Sequence, residues 1–471
     1  MLFVEFRFII FFLVVWVLFW SLRSNDHRKW LLLSSSYFFY ASWDYRFLSL
    51  IFLSTIVNHV AALRIHASSV RTERFRWLMF SLSVNLFVLF VFKYFNFFTD
   101  SFVQLLDTFG GTVDFPFINI ILPVGISFYT FQGLSYPLDV YHKTMEPRRR
   151  LLDSALFLAF FPQLVAGPIV RAKVFLPQLD VFKKLSEIPI RSCLTLFLIG
   201  FTKKAVVADS IAPYMDRLFD NPTAYGTLDI FYGQLLYSIQ IYCDFSGYSD
   251  MAIASAGLLG YTIPINFAFP YFSSNLTEFW RRWHISLSSW LHDYLYLPLF
   301  FLGKNRFTKM MIYRNVMITM LLCGLWHGAA WGYIIFGLIH GVGLVLVQEW
   351  QDLRKKHNIH IPFDKMLGMI ITFYWVCGTI TFFRISDISV AWYLTLGNFF
   401  SNTPSTESLP ANAPLVFLFL AAIHACFYNW DIGKWFANLR PTIFTISFGA
   451  LTALIVSLVP IGYRPFIYFQ F

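Results

Sequence analysis

The chain has 471 residues, of which 57% are hydrophobic, 20% aromatic and only 13% charged, with a formal charge of +10. Soluble domains carry about a quarter charged residues, so this composition excludes an ordinary soluble protein, and no polar stretch is long enough to enclose a separate soluble core. The basic balance does not imply nucleic-acid binding, because membrane proteins gather Lys and Arg in cytoplasmic loops; a surface for anionic lipid or polymer is the other reading.

A membrane-spanning helix needs roughly 20 apolar residues. Apolar runs of that order lie at 3–21, 30–42, 46–63, 77–97, 117–140, 151–166, 190–208, 226–260, 312–326, 329–348, 366–384, 411–428 and 441–460. The first reads as a retained span and not a secretion signal: it continues through Trp20, has no small-residue cleavage site, and carries Glu5 and Arg7 near its start. Runs 30–42 and 151–166 are short, and 226–260 is long enough to bend back. The expectation is an all-α bundle of about eleven spans with two or three re-entrant or interfacial segments, forming one integral membrane domain over 1–471. Stretches 167–188 and 262–311 are mixed in polarity and read as non-spanning, and 398–413 as an exposed loop.

Loop charge sets the expected orientation. Residues 64–76 carry Arg64, Arg71, Arg74 and Arg76 against Glu73, 98–116 carry Asp100, Asp107 and Asp114 without a base, and 142–150 return to Lys143, Arg148, Arg149 and Arg150. That alternation puts the first and third in the cytoplasm and the second outside. Counting back three spans places the N-terminus outside. The five cysteines form no C-x-x-C pair, so neither a disulfide framework nor a metal site is expected.

Three segments could carry chemistry. The first is Cys323 to Gly332, where His327 sits inside an apolar stretch from Val316 to Val347. An ionisable side chain at that depth is costly and faces a cavity or a partner, and imidazole moves protons near neutral pH. A packed histidine bonded to a carbonyl is the bland alternative. Gly324, Gly328 and Gly332 recur every four residues, which suits close helix packing, or a bare face lining a channel. The second is Thr277 to Tyr294. Trp280, Trp283, Leu287, Trp290 and Tyr294 form an aromatic stripe at helical spacing, with Arg281, His284, Ser288 and His292 on another face. Such a helix would lie in the interface. Arg281 and Arg282 could meet lipid phosphates or those of an acyl donor. The third is Gln240 to Asp250, where Asp244 and Asp250 imply a polar cavity or buried partners, with Arg281 or Arg282 as candidate partners. The sequence has no G-x-S-x-G elbow, Walker A loop, H-E-x-x-H or Rossmann fingerprint.

His284 within WRRWHISLSSW and His327 within GLWHGAAW resemble the two signature positions of membrane-bound O-acyltransferases. The stretches 122–141, 160–171, 241–253 and 266–299 resemble the bacterial branch involved in alginate O-acetylation, and the similarity runs in order over most of the chain. The resemblance implies tilted helices around a central funnel in the bacterial inner membrane, with acyl transfer from a cytoplasmic thioester, acetyl-CoA, towards an acceptor outside. It implies His327 as the main catalytic residue and His284 as its companion. No cofactor stays bound. The implied partners are an extracytoplasmic acetyltransferase, an exopolysaccharide such as alginate or cellulose, and membrane lipid, without nucleic acid. Residues 464–471 resemble the terminal motif of bacterial acyl-export systems, including a small partner in D-alanylation of teichoic acids. By that resemblance Tyr468 receives the acyl group as a phenolic ester; an aromatic interface belt is the plainer reading. Pro137, Cys243 and the turn 302–306 depart from the family pattern and leave the polymer open. The rival from another class is a non-catalytic transporter of an acyl group or acylated carrier.

Overall fold

The computed structural model describes residues 1–110, 120–302, 308–385, 387–400, 405–460 and 462. Helices dominate, as the apolar runs require: in a bilayer every backbone N–H and C=O must find its partner within the protein. In chain order they are α1 (Phe6–Ser21), α2 (Asn25–Asp44), α3 (Leu48–Ala67), α4 (Arg71–Leu89), α5 (Phe95–Thr108), α6 (Ile126–Tyr141), α7 (Leu151–Ala159), α8 (Phe161–Leu164), α9 (Ala172–Phe175), α10 (Ile190–Phe201), α11 (Asp209–Asp220) and α12 (Thr227–Leu258). There follow α13 (Leu276–Arg282), α14 (Ile285–Leu291), α15 (Leu297–Leu299), α16 (Lys309–His327), α17 (Trp331–His357), α18 (Asp364–Thr379), α19 (Ile388–Phe400), α20 (Ala413–Asn429), α21 (Ile432–Ala437) and α22 (Pro441–Ser457). Among the described residues, the helical stretches Asn25–Ala67, Arg71–Thr108, Trp331–His357 and Asp364–Phe383 are long and apolar enough to cross a membrane.

Several boundaries differ from the expectation. The runs 30–42 and 46–63 are joined by a single 3-10 turn, Tyr45–Phe47. The basic stretch 64–76 is mostly helix, because α3 ends at Ala67 and α4 begins at Arg71, and α5 occupies most of the acidic stretch 98–116. The run 226–260 does not bend back: α12 is continuous over 32 residues. The 167–188 stretch is built of short helical turns.

The chain divides into two compact units, residues 1–193 with 252–264, and residues 194–251 with 265–471. In the first, α3, α4 and α6 pack together around a buried polar knot. Ser54 Oγ donates to Asn85 Oδ1 at 2.5 Å, and Ser81 Oγ and Asn85 Nδ2 both donate to Asn58 Oδ1. Lys29 and Asp153 form a buried ion pair at 2.7 Å. Trp16 and Trp20 both donate their indole N–H to the Leu258 carbonyl.

The second unit holds the candidate site. Its tightest crossing is α16 on α17, where Gly324 meets Gly337: a first side-chain carbon on Gly324 would lie 2.1 Å from the Tyr333 carbonyl oxygen, and one on Gly337 would lie 2.3 Å from that of Met320. The glycines therefore serve helix packing. They do not share one continuous helix, since α16 ends at His327, Gly328 is extended, and Gly332 belongs to α17, against the Phe382 carbonyl.

Candidate functional site

The segment read as one amphipathic helix over 277–294 is broken in the middle. Asn275 caps α13 by accepting from the Glu278 N–H at 2.9 Å, while the Glu278 carboxylate accepts from the Ser274 N–H at 2.8 Å; such reciprocal capping fixes a helix start. After about two turns Trp283 is extended, and His284 takes a left-handed backbone with φ 44° and ψ 53° before α14 begins. That conformation costs a non-glycine residue about 1–3 kcal/mol. As a result Trp280, Trp283 and Trp290 are buried, and so is His284, while Arg281 and His292 stay exposed.

Asn266 holds the strained residue in place. Its backbone carbonyl accepts from Ile285 N at 2.9 Å. Its Oδ1 accepts from Ser286 N at 3.2 Å and from Ser286 Oγ at 2.9 Å, and lies 3.1 Å from His284 Nδ1. A backbone N–H can only donate, so the atom facing it is the amide oxygen, and His284 Nδ1 must carry the proton. The neutral ring therefore offers Nε2 as its acceptor. Asn266 Nδ2 closes the set by donating to Ser249 Oγ of α12 at 3.3 Å.

His327 is the last residue of α16. Its ring lies 6.4 Å from that of His284, centroid to centroid. The two rings are 0% and 4% exposed, enclosed by Phe245, which meets His284 edge-on at 4.7 Å, by Trp326 at 5.7 Å from His284 and 5.1 Å from His327, and by Phe383 at 4.9 Å from His327. Two histidines distant in sequence are thus brought into one aromatic enclosure. Their separation exceeds what one hydrogen bond between two imidazoles can span.

A third buried histidine lies behind them. His340 of α17, 0% exposed, faces Trp280 through Nδ1 and Thr379 through Nε2. The Thr379 hydroxyl donates to the Trp375 carbonyl at 2.9 Å, so it accepts from His340 Nε2 at 3.0 Å, and Nδ1 accepts from Trp280 Nε1 at 3.3 Å. One imidazole thus ties α13, four residues before His284, to α18, four residues before Phe383. Sequence reading missed both supports. His340 is an ionisable residue in an apolar helix, and the test applied to His327 would have found it; Asn266 gives no signal beyond its place in the family-like stretch 266–299.

The acidic pair of α12 has other partners than those expected. Asp250 pairs with Lys203 at 2.7 Å, and Lys204 bridges Asp244 at 2.5 Å and Asp209 at 2.7 Å. Arg282 pairs instead with Glu278, one turn back on its own helix, at 2.7 Å, and Arg281 is exposed. The lysines win because α10 and α12 approach closely: a side-chain carbon on Gly247 would lie 2.5 Å from the Gly200 carbonyl oxygen. Among the described residues no cluster of His, Cys, Asp or Glu could hold a metal ion. Tyr468 lies outside the described residues.

The membrane-bound O-acyltransferase family profile matches residues 146–390, which include both histidines, Asn266 and His340. The chain is similar to a protein of Azotobacter vinelandii described as a probable alginate O-acetylase, 42% identical over 82% of this chain and 75% of the relative. A protein of the same description from Pseudomonas putida is 37% identical over 98% of this chain and 99% of the relative. A peptidoglycan O-acetyltransferase of Helicobacter pylori is 37% identical over 77% of this chain and 72% of the relative.

Proposed function

Because this chain belongs to the membrane-bound O-acyltransferase family, we propose that it moves an acetyl group from cytoplasmic acetyl-CoA across the bacterial inner membrane for O-acetylation of an exported polysaccharide such as alginate or cellulose. The carrying observation is the pairing of His284 and His327 at 6.4 Å inside one buried aromatic enclosure. In this reading His327 takes the proton of the accepting hydroxyl as its oxygen attacks the thioester carbonyl. The carbon–sulfur bond breaks, and the thiolate leaves with that proton. His284, with Nδ1–H fixed on Asn266, orients the hydroxyl through Nε2. An oxygen lying between the rings would bond to both, which their separation favours over direct contact.

The remaining assignments extend the same reading. Arg281 and Arg282 meet the phosphates of the donor, and Asp244 and Asp250, engaged by lysines, hold the wall of the chamber. The domain covers 1–471, with about eleven spans around a funnel and the N-terminus outside. Tyr468 accepts the acetyl group and passes it to an extracytoplasmic acetyltransferase, which delivers it to the polymer; an aryl ester keeps high transfer potential. The test is transfer of radiolabelled acetyl from acetyl-CoA to purified protein in lipid. Wild type should become labelled and Tyr468→Phe should not. Label retained on Tyr468→Phe moves the acceptor to a partner, and no label on folded wild type favours the transporter.

His340 is expected to act through position alone. His340→Leu breaks the link from Trp280 to Thr379 and should lower kcat roughly ten- to hundredfold, with KM for acetyl-CoA little changed. His340→Gln can still accept from Trp280 and donate to Thr379, so it should recover most of that loss in the same assay. Equal losses in both variants would refute the positioning role.

A further inference from the structure

A second feature of the same unit lies beside the histidine enclosure and has no part in the chemistry above. A cavity of about 530 Å³ is lined by α10 and the π-helical turn after it, by α12, and by α18, α20, α21 and α22. Helices α20 to α22 lie beyond residues 146–390, so much of this wall is outside the family profile.

The cavity is long and almost wholly apolar. Its lining runs from Thr195 to Val207 on one side and from Phe417 to Phe427 on another, which at 1.5 Å per residue is about 15–18 Å. Half of a bilayer's hydrocarbon core is about 15 Å. The outward faces of α20 and α22 expose Leu415, Leu418, Phe419, Ile446 and Leu454, so both helices turn one apolar side outward and line the cavity with another.

Apolar shape alone does not retain a guest in a membrane, because the bilayer is just as apolar. A polar mark is needed, and this cavity has one. His424 of α20 stacks on Phe272 at 5.3 Å with only 6° between the planes, and meets the edge of Tyr242 at 5.1 Å. Lys203 lies 5.7 Å from the same Tyr242 ring and is already neutralised by Asp250. His424 Nε2 is buried without a hydrogen-bond partner among the described residues. Leaving such a group unmatched is costly, and a guest with a carbonyl or hydroxyl at that level would remove the cost.

We propose that this cavity holds one acyl chain of a glycerophospholipid, with the chain's ester carbonyl against His424 and the hydrocarbon along Leu198, Phe417 and Ala421. A one-leaflet length, apolar outward faces on α20 and α22, and a few neutral polar groups, His424 and Thr195 among them, fit a diacyl lipid better than a charged or compact ligand.

The full-length protein, washed extensively in detergent, should retain about one phospholipid per chain, read as organic phosphorus per protein. Ala421→Phe and Ala425→Phe each fill the cavity from a different point and should lower retention at least severalfold, with helicity unchanged by circular dichroism. In wild type, a phospholipid with a diazirine on its acyl chain should crosslink to residues 417–427 or 195–207. No phospholipid on wild type, equal retention in the filled variants, or crosslinks confined to other segments each overturns the proposal. These readouts are independent of acetyl transfer, so they separate its failure from failure of the enzyme reading.

Discussion

Replacing His327 by alanine should abolish acetyl transfer, with a loss on the order of 10²–10⁴ in kcat, the range that a general base supplies, while the protein still inserts in the membrane and elutes as wild type. The geometry separates these two outcomes. His327 ends α16 and is followed at once by the extended Gly328, so its side chain caps no continuing helix. The α16–α17 crossing depends on Gly324, three residues back, and on Gly337 of α17. Alanine opens a gap among Trp326, Phe336 and Phe383, which should lower thermal stability modestly. Activity within tenfold of wild type in the radiolabel assay would remove His327 from the chemistry and leave it as a packing residue.

Asn266→Leu should come close to that loss. The side chain is 1% exposed, and its Oδ1 faces three groups: His284 Nδ1, Ser286 N and Ser286 Oγ. Leucine leaves all three without this partner and frees His284 to exchange its proton between ring nitrogens, while the left-handed backbone keeps its strain. We expect at least a hundredfold drop in kcat, since misplacement by about 1 Å costs that much, together with a clear fall in thermal stability. Asn266→Asp keeps an acceptor oxygen facing His284 Nδ1 at the cost of a buried carboxylate in place of the amide, so it should retain clearly more activity than the leucine variant. If the two variants lose activity equally, the tautomer assigned to His284 does not matter to the reaction.

His327 stood out in the sequence because an ionisable residue in a long apolar stretch draws attention wherever it falls, whereas His284, on the polar face of its segment, became a candidate only through the resemblance of WRRWHISLSSW to a family signature. The fold of the segment around His284 was not legible. Helical spacing of Trp280, Trp283, Trp290 and Tyr294 continues straight through the break, and periodicity carries no information about one residue with positive φ. Asn266 was invisible for a related reason: it acts through one amide oxygen on residues some twenty positions later, a relation set by folding. Asp244 and Asp250 were read as implying a polar cavity or buried partners, and both have lysine partners. The choice of arginines failed because Lys203 and Lys204 sit within an apolar run taken as a plain span, where their match to α12 depends on the contact of Gly200 with Gly247. Helix ends were misjudged where charge was taken to mean loop, as at Arg71 to Arg76, which are the first turns of α4.

The ion pairs of Lys203 and Lys204 also bear on how the protein enters the membrane. Each charged residue at the centre of an inserting helix costs about 2.5–3.5 kcal/mol, and here the cations are made first. Asp250 follows Lys203 by 47 positions, so Lys203 is made well before its counter-charge on α12, while Lys204 has Asp209 five positions on and Asp244 on α12 as a later second partner. Neither helix partitions well alone; together their charges are matched and their backbones meet glycine to glycine. The two helices are therefore accommodated in apolar surroundings more readily as a pair than singly.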